Sequence, residues 1–64
     1  MSKKAIIVSL ITKCGELELR ARSIARDIIN LREEGERDLG KEQTLTFLDA
    51  EIFRCKERIA ALSM

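Results

Sequence analysis

The 64-residue chain contains no histidine, no proline, no tryptophan and no tyrosine, and only two phenylalanines, two cysteines and three glycines. The missing histidine removes the commonest general base and metal ligand. Cys14 and Cys55 lie far apart with no C-x-x-C spacing, so the chain lacks the ligand set of a zinc site. No glycine-rich phosphate loop and no nucleophile elbow is present. The carboxylates Glu33, Glu34, Glu36 and Asp38 lack the alternating ligand positions of a calcium loop and read as a solvated turn. No catalytic residue, metal site or cofactor is therefore expected, and the chain is read as non-enzymatic.

Other absences bound the class further. The longest apolar run, Ala5–Ile11, has seven residues, against the ~20 of a membrane-spanning helix. Lys3 and Lys4 before that run and Cys14 after it faintly mimic a secretory or lipoprotein leader. Lys13 stands where a lipoprotein cleavage site wants a small residue, so the segment is read as mature structure. The formal net charge is only +1, so no global field draws the chain to nucleic acid or to a membrane. Two cysteines are too few for a secreted disulfide scaffold, and both fall on apolar seams. Buried, reduced thiols in a cytoplasmic protein are expected.

What is present is helical. The 45% hydrophobic content is too high for a disordered chain, and the Leu, Ile, Glu, Arg and Lys that dominate without proline favour helix. Ile7, Leu10, Cys14, Leu17, Ala21, Ile24, Ile28 and Leu31 alternate spacings of three and four without error, as do Leu45, Leu48, Ile52, Cys55, Ile59 and Leu62. Each set is a heptad seam, an apolar stripe that only a partner helix can cover. Ser2 is a candidate N-cap for the first helix, Gly35 a candidate left-handed terminator and Asp38 an N-cap for the second. Gly15 interrupts the first helix at a cost of about 1 kcal/mol relative to alanine, unless it marks a close backbone approach.

The expected architecture is all-α: a single antiparallel helical hairpin over 1–64, coiled-coil-like, with helix 1 over about 3–34, a loop over about 35–40 and helix 2 over about 41–62. Two registers satisfy the seams. The first pairs Leu31 with Leu45, Ala21 with Cys55 and Cys14 with Leu62, and leaves Ile7 and Leu10 overhanging. The second, one heptad away, pairs Ile7 with Leu62 and Cys14 with Cys55, but sets Ile28 against Lys41 and Leu31 against Asp38. Burying an unpaired charge costs several kcal/mol, which favours the first.

Neither register covers every apolar side chain. Ile6, Val8, Ile11, Ala25, Ile29, Phe47 and Phe53 lie off the seams. That surplus predicts association, with a homodimer of hairpins forming a four-helix bundle as the simplest form. Ile6, Ile7, Leu10, Ile11, Phe47 and Phe53 are the expected interface residues. The resulting expectation is a small protein–protein interaction or regulatory module, of a size common among phage and bacterial regulators, with a further protein partner of unspecified identity.

A nucleic-acid regulator is the alternative. Arg22 and Arg26 share one helical face and Arg54 and Arg58 another, and such faces suit phosphates. No aromatic stands among them to stack on bases. In size and hairpin layout, and over Gln43–Leu48, the chain is similar to the Rop family of plasmid copy-number regulators, RNA-binding dimers of helical hairpins. The likeness covers six residues with one difference, and falls in the second helix here rather than the first. Its leucines are out of step with that family's core positions. Of the RNA-facing residues in the family's stretch only Gln43 has a counterpart, and Ala50 stands where a lysine belongs. The resemblance implies the architecture and no RNA-binding residues.

Overall fold

In the computed structural model, which describes residues 2–64, two helices form: α1 over Lys3–Glu33 and α2 over Leu39–Ser63. Met1, the first residue of the expected domain, lies outside the described residues. The local chemistry that starts and stops each helix is visible. The Ser2 hydroxyl accepts from the Ala5 amide at 3.2 Å and caps α1. At the other end Gly35 adopts φ 77°, and the Glu36 amide donates to the Leu31 carbonyl at 2.8 Å while the Gly35 amide donates to Arg32 at 3.0 Å. That pair of bonds satisfies two carbonyls of the last turn, and a glycine takes the left-handed conformation at no Cβ penalty. Asp38 then caps α2, its carboxylate accepting from the Lys41 amide at 3.0 Å. The turn therefore occupies 34–38, and α2 begins two residues before the expected 41.

The buried residues fall on the heptad seams. Cys14, Ala21 and Ile28 on α1 and Leu48 and Cys55 on α2 are buried, and Leu17, Ile24, Leu31, Leu45, Ile52 and Ile59 are half-buried beside them. No described side chain is fully sealed from solvent. The hairpin measures 49 × 15 × 14 Å with a radius of gyration of 14.9 Å, where a compact chain of this length would have about 11 Å. It is a rod one seam thick.

The register is the second one, and the expectation favouring the first is corrected. The Cys55 thiol donates to the Leu10 carbonyl at 3.3 Å, and that carbonyl belongs to the turn that carries Cys14. Lys41 reaches Asp27 at 3.3 Å, and the Lys3 ammonium lies 3.4 Å from the Met64 carbonyl. In the first register Cys55 would stand about 16 Å further along α1 from Leu10, at 1.5 Å per residue. The objection to the second register was the charge of Lys41 over Ile28. Lys41 meets it by laying its half-buried stem along the seam and carrying its ammonium outward to Asp27. Asp38 caps an exposed helix start and is not buried at all. With both costs removed, the register that gives Ile7 and Leu10 partners prevails, and these two residues are half-buried in the seam rather than overhanging.

Both cysteines are free and share one layer. Oxidation by a small disulfide reagent, which takes up the two electrons and two protons, is expected to join Cys14 to Cys55 within one chain. Intact mass after denaturation would show the loss of two hydrogens with no covalent dimer. Two separately modified thiols would instead return the register to the first form.

Candidate interaction surface

The seam divides the rod into two flanks of different chemistry. On α1 the residues one and four places after each first seam position of a heptad share a flank, and on α2 the matching residues lie beside them. This first flank carries Ile11, Gly15 and Glu18 with Lys56 around one hollow of 320 Å³, and Ala25, Ile29 and Arg32 with Glu42, Leu45 and Thr46 around a second of 330 Å³. Val8 lies seven residues before Gly15, Leu39 seven before Thr46 and Phe53 seven after it, so all three extend the same flank. Among the described residues eight large apolar side chains stand exposed, and five of them (Val8, Ile11, Ile29, Leu39 and Phe53) are here.

The second flank is charged. Lys13, Glu51, Arg54 and Arg58 line a shallow hollow of 150 Å³, with Arg54 and Glu51 2.8 Å apart. Asp27 and Lys41 continue the same side. Phe47 lies seven residues before Arg54 and Ile6 seven before Lys13, which puts both on this flank.

The six expected interface residues are thus not brought onto one surface. Ile11 and Phe53 share the first flank, Ile6 and Phe47 lie on the second, and Ile7 and Leu10 are in the seam between the helices. The two phenylalanines are equally exposed, at 62% for Phe47 and 63% for Phe53, but face different neighbours. Val8 and Ile29, two of the off-seam residues, and Leu39 also belong to the apolar flank. Their heptad positions relative to Ile11 and Phe53 carried that signal.

The four arginines are also divided. Arg54 and Arg58 gather with Lys13. Arg22 and Arg26 border a different hollow with Leu19, Ser23 and Asp27, all on α1. Lys13 joins the basic cluster only because the register sets it beside Arg58, so its membership could not be read before the register was fixed.

Electrostatics tie the first flank together. Glu18 accepts from Lys56 at 3.2 Å across the helices and from the Cys14 thiol at 3.4 Å within α1. The Lys56 contact first, then the thiol, hold the Glu18 carboxyl below its ordinary value. Burial, followed by the neighbouring Glu18 carboxylate, pushes the Cys14 thiol up. At the turn, Glu42 sits 2.9 Å from Arg37 and 3.6 Å from Arg32. The Arg37 hydrogen bond lowers the Glu42 carboxyl, and the Arg37 guanidinium is raised in return.

Among the described residues no helix is long and apolar enough to cross a membrane, and no group of acidic or cysteine side chains is gathered as for a metal ion. No family model, curated protein or solved structure matches the chain.

The shifted groups set a pH window. Glu18 and Glu42 are lowered, so their contribution to stability is full above the ordinary carboxyl value of 4.5 and is lost as pH falls through their lowered values. Cys14 is raised, so its contribution is full below the ordinary thiol value of 9.0 and is lost as pH rises through its raised value. Thermal melts followed by circular dichroism should show a plateau between these limits. Glu18→Gln with Glu42→Gln should flatten the acid limb, and Cys14→Ala the alkaline one.

Proposed function

We propose that the chain is a small non-enzymatic interaction module that works as a homodimer, two hairpins closing into a four-helix bundle. The observation that carries this reading is surface. The hairpin exposes 5117 Å², where a folded monomer of 7.3 kDa exposes about 4,200 Å². The excess, about 900 Å², is close to the ~800 Å² that each partner contributes to a standard protein–protein interface. Its distribution supports the same reading, because most of the exposed large side chains fall on one flank.

A hairpin with no sealed side chain has too little core to hold itself tightly. A second seam supplies one, and a bundle of four helices is the least number that gives every apolar stripe a neighbour. Regulation through a further protein partner then uses whatever remains exposed on the assembled bundle, including Phe47 and Leu19.

Light scattering on a sizing column is expected to give about twice 7.3 kDa at micromolar concentration. Phe53→Asp should convert the species to monomer, since a carboxylate cannot enter an apolar contact without a partner. A wild-type chain that runs as a monomer, or a Phe53→Asp chain that stays dimeric, overturns the reading or the face assigned to it.

The gathering of Lys13, Arg54 and Arg58 about one hollow favours a second reading, a nucleic-acid regulator that reads phosphates with the charged flank. It requires a gel shift at low salt that falls steeply as salt rises. Arg54→Glu with Arg58→Glu should abolish that shift, and Arg22→Glu with Arg26→Glu should leave most of it. No shift at any salt concentration removes this reading.

A further inference from the structure

Between Ile11 and Ile29 the apolar flank of α1 reads the same in both directions; outside that stretch the reversal sets Val8 against Arg32, which do not match. In chain order it presents Ile11, Gly15, Glu18, Arg22, Ala25 and Ile29, spaced four, three, four, three, four. The sequence runs large apolar, small, acidic, then basic, small, large apolar. Reversing the helix about the midpoint between Glu18 and Arg22 lays each residue type on its complement: Ile11 on Ile29, Gly15 on Ala25, and Glu18 on Arg22. A strip that is its own complement under reversal is what an isologous contact requires.

From this pattern we infer that the second copy docks on the first flank antiparallel, α1 against α1 and α2 against α2, with the two turns at opposite ends. The inference rests on the homodimer proposed above and specifies its geometry.

Three features support it. The first is α2. In the observed register Ala21 and Leu48 share a layer, so Asp49 lies level with the midpoint of the α1 strip. The same two-fold axis then brings Glu42 of one copy to Lys56 of the other, again opposite charges, and sets Phe53 over Leu45 and Thr46. Those two residues line the 330 Å³ hollow, which leaves the exposed phenyl ring a place to enter. The axis also exchanges the two hollows, of 320 and 330 Å³, so that each copy presents one to the other.

The second feature is Gly15. A Cβ built there would meet nothing within 4 Å, and the residue has ordinary helical backbone. Nothing inside the hairpin asks for a glycine at that position. A helix approaching from outside does, and Ala25 is the small residue that would face it.

The third is charge. Glu18 and Arg22 stand one turn apart on α1 with opposite charge. Antiparallel docking places the two pairs together as a square of alternating sign about the axis. Asp49 meets its own copy there, the one like-charged contact in the arrangement, and it limits how tightly the copies hold.

The experiment is a directed cross-link. Ile11→Cys and Ile29→Cys are made as separate chains, mixed, and oxidised with a small disulfide reagent. Both chains also carry Cys14→Ala and Cys55→Ala, so the introduced thiol is the only one in each and any disulfide joins two chains. The geometry predicts a mixed covalent dimer joined from 11 to 29 in peptide mapping, in several-fold excess over any species from either variant alone. A wild-type dimer in which the mixed link does not form, or in which each variant links to itself, overturns the orientation and leaves the homodimer standing. A monomeric wild type overturns both.

Gly15→Leu supplies a readout that does not depend on thiols. The hairpin has open space at that position, so helicity should hold or rise. The dimer dissociation constant should increase by about tenfold through crowding at the contact. An unchanged dissociation constant overturns the placement of Gly15 at the interface.

Discussion

Two helices packed side by side have one seam between them, and that limit governs the rest of this structure. A fully buried core residue touches six or more others. In a hairpin each seam residue has neighbours on its own helix and on one other, and the remaining directions face water. Among the described residues only five are buried, and all five lie on the line where the helices meet. The 14.9 Å radius of gyration, the exposed flanks and the shortage of sealed side chains all follow from having a single seam.

The charges beside the seam select among arrangements more than they hold them together. Five ion pairs are present among the described residues, each with at least one partner more than a third exposed. Pairs of that kind contribute from nothing to about 1 kcal/mol each. Their effect on register is larger than their effect on stability. Lys41 reaching Asp27 is satisfied in the observed alignment, whereas a slip to the other register would set Lys41 level with Gly35, eight residues and about 12 Å along α1 from Asp27. Glu18 serves a thiol on its own helix and an ammonium on the other.

The extent of what could be read in advance follows the range of each signal. Spacing at three and four is local and strong, and every residue of both stripes is buried or half-buried. The Ser2, Gly35 and Asp38 signals are equally local, and each sits where its chemistry places it. The register is less legible, because Lys41 is not a point charge opposite Ile28: its long stem lets the stem and the ammonium occupy different environments. The candidate surface was less legible. Phe47 and Phe53 look alike in the sequence, and six residues of helix turn them to opposite flanks. Lys13 meets Arg54 and Arg58 only once the register is known. No spacing in the chain encodes a ligand, so the function rests on surface and symmetry rather than on a motif.

The chain enters and leaves the rod at one end, where the Lys3 ammonium lies 3.4 Å from the Met64 carbonyl. The turn at Gly35 closes the other end. This layout decides how the hairpin responds to mechanical load. Tension applied through the two termini does not shear all the layers at once. It falls on the Ile7–Leu62 layer alone, and when that opens it passes to the next. A coiled rod loaded this way unzips at low force, layer by layer toward the turn. Tethered through its ends, the hairpin is a compliant element, one that yields gradually where a helix pair pulled from opposite ends would resist.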